Sequence, residues 1–196
     1  IAIELSIKKR IMGEDGQDNV EELKENPFRI FPSQLILKKD EKRSIKIHWL
    51  QAAALKATAL ANEESFRIIA EQLPIDLKKK NKKAKAEIKV LLRYVAALYL
   101  TPTEKNLAIT AAPTNCQGDT LLLTLQNRGN VHKILDNITF KFSEEENSGP
   151  IYTLRGDIPN ISGENILFGI TRKFKIKCPT ELLTYKKPLQ VQVHFE

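Results

Sequence analysis

The sequence predicts an all-β protein, and three observations carry that expectation. The chain opens on strict alternation, with Ile1, Ile3, Leu5 and Ile7 against Glu4, Ser6 and Lys8, the pattern of a strand with one solvated face. Its second half breaks into short apolar runs separated by turn clusters such as Asn127-Arg128-Gly129-Asn130 and Asn147-Ser148-Gly149-Pro150. Short strands at such spacing indicate a β-sandwich. Between the halves lies Ile88 to Leu100, closed by Thr101-Pro102. Ile88, Val90 and Leu92 alternate with Lys89, Leu91 and Arg93, and the run then becomes apolar on both sides. A strand that starts at a sheet edge and ends buried reads this way. Helix is the competing reading, because Ala96, Ala97 and the leucines are good helix formers.

Taken in order, Ile1 to Met12 is the first strand, and Gly13-Glu14-Asp15-Gly16-Gln17-Asp18 is turn chemistry. Glu21 to Asn26 is charged and reads as loop. Pro27 to Leu37 reads as short extended pieces punctuated by Pro27 and Pro32, and Lys38 to Arg43 as a polar turn. Ser44 to Leu50 alternates again. Gln51 to Ala61 is alanine-rich and admits one or two helical turns, and Glu64 to Leu73 is a strand ended by Pro74. Beyond a hinge at Thr101-Pro102-Thr103 the expected strands are Leu107–Ala111, Thr120–Gln126, His132–Phe142, Ile151–Arg155, Ile166–Lys177 and Leu189–Phe195.

Composition narrows the function. The 196 residues carry 31 basic and 24 acidic side chains, a net charge of +7. Much of that excess is the run Lys78, Lys79, Lys80, Lys82, Lys83 and Lys85. A block of like charge reads as a solvated loop. Nucleic acid is not the expected partner, because the run lacks the interleaved aromatics of a base-stacking surface. No apolar run reaches the roughly 20 residues of a membrane-spanning helix. Cys116 and Cys178 have no CxxC partners and His48, His132 and His194 are scattered, so no metal site is expected. No nucleophile elbow, phosphate loop or acid–base set suggests an enzyme, and no cofactor is expected.

The cysteines are either two buried free thiols or one disulfide. In a sandwich of immunoglobulin type the second and fifth strands are antiparallel neighbours. Cys116 lies just before the second strand of the second half and Cys178 just after the fifth. A bridge there is geometrically reasonable and would imply an oxidising compartment.

The ordered set of fragments resembles the periplasmic chaperones of chaperone–usher pilus assembly. It comprises Phe31 to Leu37, a polar turn, Ser44-Ile45-Lys46-Ile47, Glu64-Ser65-Phe66-Arg67-Ile68 running into Glu71-Gln72-Leu73-Pro74, a basic loop, and the alternating stretch ending at Pro102. Leu125 to Val131 resembles the strand–turn–strand of the divergent, colonisation-factor-like members. The resemblance covers nearly the whole chain. It implies two immunoglobulin-like domains at an angle, residues 1–102 and 103–196, with the first two strands of the first domain absent from this sequence. It implies a periplasmic location, a pilin subunit as client and an outer-membrane usher as recipient. The last strand of the first domain would be lent to the pilin, with Ile88, Val90, Leu92 and Tyr94 entering the pilin groove. Where the family carries a lysine for the pilin's C-terminal carboxylate, this chain has Ala97, so Arg93 is the candidate replacement. Lys46 and Glu64 resemble a charged pair that helps fix the interdomain geometry. Self-association of the free chaperone is a further possibility. The alternative function is an immunoglobulin-like adhesin or scaffold using its edge strand.

Overall fold

The computed structural model describes residues 1–50, 60–74, 90–146 and 148–195. The described residues form β-strands, turns and one short 3-10 segment, Thr180–Leu182, so the all-β expectation holds. They fall into two compact units. The first is built from Ile1–Ile11, Val20–Ala59 and Ser65–Leu100, the second from Met12–Asn19, Leu60–Glu64 and Thr101–Glu196. Two short segments of the first half of the chain thus group with the second unit, which a reading in chain order has no means to anticipate.

In the first unit, β1 (Ala2–Met12) is flanked by β6 (Glu64–Gln72) on one side, in antiparallel register from Ile3↔Gln72 to Lys9↔Phe66. β4 (Gln34–Ile36) pairs with the start of β1, and β2 (Asp18–Glu21) is its remaining neighbour. β2 is a strand that the charged, turn-like sequence around it conceals. β7 (Arg93–Leu100) adds to the outer side of β6. A second sheet consists of β3 (Phe28–Phe31) and β5 (Lys46–Trp49), paired from Phe28↔Trp49 to Phe31↔Lys46. In the polar turn between β4 and β5, the Lys38 backbone N–H bonds the Glu41 carboxylate at 2.9 Å, and this bond holds the Glu41 carboxyl below its ordinary range.

The core of this unit is small. Ile7, Phe28 and Phe66 are buried, the two rings meeting edge-on at 4.9 Å, with Ile30, Ile47, Trp49, Ile68, Leu98 and Leu100 half-buried around them. The indole N–H of Trp49 is buried without a hydrogen-bond partner.

The second unit is more fully packed. β10 (Thr120–Asn127) lies between β15 (Thr171–Lys177) and β8 (Ile109–Ala111), with β9 (Cys116–Gln117) pairing its start. Facing strands β12 (Ile138–Ser143), β13 (Tyr152–Arg155) and β16 (Gln190–Phe195) form a three-stranded sheet, and β11 (Lys133–Ile134) pairs with β14 (Asn165–Ile166). The expected strands His132–Phe142 and Ile166–Lys177 are therefore each two strands. Leu135-Asp136-Asn137 breaks the first, where Asn137 takes a left-handed φ of 51°, and Gly169, at 73°, lies in the break of the second. Alternate residues Leu121, Leu123 and Leu125 of β10 meet Phe140, Phe142, Phe174 and Ile176 in one continuous buried cluster. Cys116 and Cys178 form a disulfide with Cα atoms 5.9 Å apart.

The turn Asn127–His132 ties several segments of this unit together. The Asn127 side chain donates to the carbonyls of Val131 and Ile166 and accepts from the Gly129 N–H. Gly129 is required for its size, since a Cβ there would stand 2.3 Å from the Asn106 carbonyl oxygen.

Candidate functional site

The strand that the sequence singles out, β7, is an edge strand among the described residues. It bonds β6 on one side only. On it and on the residues leading into it, large apolar side chains are open to solvent: Val90 is 70% exposed, Leu91 50%, Leu92 46% and Tyr94 68%. Ile88 and Lys89 lie outside the described residues, as do the lysine run and residues 51–59 of the alanine-rich connection.

The regular strand begins later than the alternation suggests. Val90, Leu91 and Leu92 stand outside the strand, which starts at Arg93. The reason lies in the partner. The Gln72 N–H bonds the Leu92 carbonyl at 2.9 Å, but Leu73 turns its N–H to the Ala2 carbonyl and Pro74 has none to give. The expectation that β7 ends buried on both faces is also corrected. Ala96 and Ala97 are exposed, and Leu98, Tyr99 and Leu100 are only half-buried. Among the described residues the facing sheet has two strands, and its side chains reach Leu98 and Leu100 without covering Tyr94 or Ala96.

Side-chain alternation divides β7 into two faces. Leu98 and Leu100 pack on the core, which places Tyr94 and Ala96 on that same side, and the sequence alternation continues through Leu92 and Val90. Arg93, Val95, Ala97 and Tyr99 occupy the other side. Arg93, Val95 and Ala97 are all exposed there, Val95 at 52%. The sequence reading missed the strongest base buried on this side, Arg10 of β1. It is 7% exposed and donates from Nη1 to the Tyr99 hydroxyl at 2.9 Å. Its place beside β7 follows from strand order, which the sequence does not display.

Lys46 is an exposed residue at the start of β5, and Glu64 the exposed first residue of β6. The buried acid is the adjacent Glu63, whose side chain is 1% exposed. Its carboxylate accepts the His132 backbone N–H at 3.0 Å, lies 2.6 Å from His132 Nδ1 and accepts from the Thr101 hydroxyl at 3.1 Å. Nothing in the local pattern distinguishes Glu63 from Glu64.

Another edge strand among the described residues, β15, is built differently. Lys173, Lys175 and Lys177 project from it. The Lys173 backbone N–H is taken by the Glu14 carbonyl at 2.7 Å, and the Lys175 carbonyl accepts from the Asn160 amide at 3.2 Å. Among the described residues no group of histidine, cysteine and carboxylate side chains is placed to hold a metal.

No family model and no curated protein matches this sequence. Solved structures do. A class 5 fimbriae chaperone, CfaA, superposes with a TM-score of 0.57 at 16% identity, covering 100% of this chain and 86% of its own. A chain of a chaperone–tip adhesin complex of CFA/I fimbriae biogenesis gives a TM-score of 0.57 at 16% identity, covering 98% of this chain and 84% of its own. At this identity the likeness is one of fold, and the fold is that of fimbrial chaperones.

Proposed function

We propose that this chain is a fimbrial chaperone, a binding protein and not an enzyme, that holds an incomplete fimbrial subunit by lending it a strand. The observation that carries the reading is the edge of β7, unpaired among the described residues, with Tyr94 exposed on it and Val90 and Leu92 exposed just before it. Soluble proteins blunt their strand edges because a row of unpaired backbone groups beside apolar side chains recruits other strands. An edge left in this state is suited to an acceptor that lacks a strand. The acceptor gains backbone hydrogen bonds, and alternate side chains fill its groove. Each large aliphatic side chain so buried contributes roughly 1.5–3 kcal/mol before ordering costs. Ile88 extends the same alternation by one more position. The fold likeness to a class 5 fimbriae chaperone, and to a chain of a chaperone–tip adhesin complex, supports the same class of client.

Periplasmic residence and delivery of the subunit to an outer-membrane usher follow from this role, and the Cys116–Cys178 disulfide is in keeping with an oxidising compartment. Arg93, exposed on the side of Ala97, is the basic residue on β7 available to a subunit's C-terminal carboxylate.

The decisive experiment is Val90→Asp with Leu92→Asp. Two carboxylates entering an apolar groove unpaired cost several kcal/mol. Because both side chains face solvent in this structure, the folded chain tolerates them. The expected result is a protein with an unchanged melting midpoint that no longer captures a refolding fimbrial subunit. A midpoint tens of degrees lower, or undiminished capture, would overturn the proposal.

A further inference from the structure

The exposed side of β7 is not a uniform apolar stripe. Read along it, the side chains are Val90, Leu92, Tyr94 and Ala96, before Leu98 and Leu100 turn into the core. The largest knob therefore stands directly beside the smallest, two residues apart on one face, about 7 Å. Both are exposed, and the Tyr94 hydroxyl takes no hydrogen bond within the described structure.

Tyrosine is a rigid anchor with few rotatable bonds, so burying its ring costs little conformational entropy. Once the ring is buried, its hydroxyl must find a polar partner or water. An alanine next to it contributes almost no volume, so a partner that packs to protein density must fill that space from its own side. A generic strand donor needs neither feature.

We propose that the Tyr94–Ala96 step determines which subunit this chain captures. The client is a subunit whose groove has an aromatic-sized pocket ending in a hydrogen-bonding group. Next to that pocket the groove is raised, with a bulky side chain pressed on Ala96. This inference rests on the strand-lending role proposed above and deepens it. Tyr94 and Ala96 are specificity determinants, whereas Val90 and Leu92 supply the general apolar contact.

The test exchanges the two side chains, Tyr94→Ala with Ala96→Tyr. The composition and total apolar surface of the face stay the same, and only the position of the knob moves by one pocket. Fimbrial subunits deprived of their N-terminal extensions are unfolded in denaturant and diluted into the full wild-type chain. A subunit recovered as a soluble one-to-one complex becomes the probe. The exchange variant is expected to need roughly 100-fold more protein for half-maximal recovery, the loss typical of a displaced interface anchor. Tyr94→Phe is expected to lose about fivefold, one hydrogen bond's worth. Melting midpoints should match wild type, since both positions are solvent-exposed.

Recovery of the probe by the exchange variant at wild-type concentration overturns the proposal, as does a Tyr94→Phe variant as weak as the exchange. The underlying reading fails separately. If Val90→Asp with Leu92→Asp still captures the probe, β7 is not the lent strand. If that variant is inactive while the exchange is fully active, strand lending stands and the specificity step does not.

Discussion

Two edge strands of this molecule face the same physical hazard and meet it in opposite ways. β15 places a lysine at every second position of its exposed face, from Lys173 to Lys177, and two of its open backbone groups are taken by Glu14 and Asn160. One end is anchored by Arg172. That guanidinium donates from Nη1 to Glu164 and to the Asn165 carbonyl, both at 2.7 Å, and stacks on Phe174. The other end is fixed by the Cys116–Cys178 bridge. Among the described residues β7 has no such guard. It offers Val90, Leu92, Tyr94 and Val95 to solvent, and no strand or loop among the described residues takes up its outer edge. Charge and capping on one edge argue that the chain can protect an edge, so an unprotected one reads as a contact surface.

The largest effect should come from removing the staple of the guarded edge. The bridge closes a sequence separation of 62 residues, and the entropy of an open loop of that length is worth about 4 kcal/mol. Cys116→Ala with Cys178→Ala should lower the stability of the second unit by that order in urea denaturation, while subunit capture through β7 survives in the folded protein. Loss of capture at temperatures where the variant is still folded would show that the two edges are coupled.

A sharper form of the comparison deletes an aromatic ring from each edge. Phe174 on β15 is 3% exposed and lies in the main cluster, so Phe174→Ala should cost about 3 kcal/mol or more. Tyr94→Ala should change stability by no more than about 0.5 kcal/mol, as a solvent-exposed site. Equal costs at the two positions would mean that Tyr94 is packed in solution and that β7 is not bare.

A smaller effect tests the cap on β15. Gly16 has φ +82°, and a Cβ there would lie 1.8 Å from Arg172 Nη2. Gly16→Ala should displace the guanidinium, cost roughly 1–3 kcal/mol and speed amide exchange at Lys173, whose N–H bonds Glu14 two residues before the glycine. Unchanged exchange there would show that the turn does not guard the edge.

The alternation in β1, β10 and β15, the turn clusters between them, and the single apolar stretch before Pro102 were all legible as sequence. Period-two patterning is local, and it records directly which side chains will face a core. The strand at Asp18–Glu21 was not legible, because its pairing comes from β1 and not from its own charged residues. Nor was the burial of Glu63 in place of Glu64, which depends on where the His132 backbone and Thr101 arrive.

The sequence by itself determined that this chain is all-β and that Cys116 and Cys178 fall at the ends of neighbouring strands, and its alternation put Val90, Leu92 and Tyr94 forward as one face. Only the tertiary structure decided that no described residue covers that face. The same alternation would describe an ordinary core strand, since a side chain's pattern fixes its direction but not what stands opposite. That depends on strand order and on the facing layer. Among the described residues β7 has a single neighbour and lies opposite a two-stranded sheet, and these apolar side chains are left exposed.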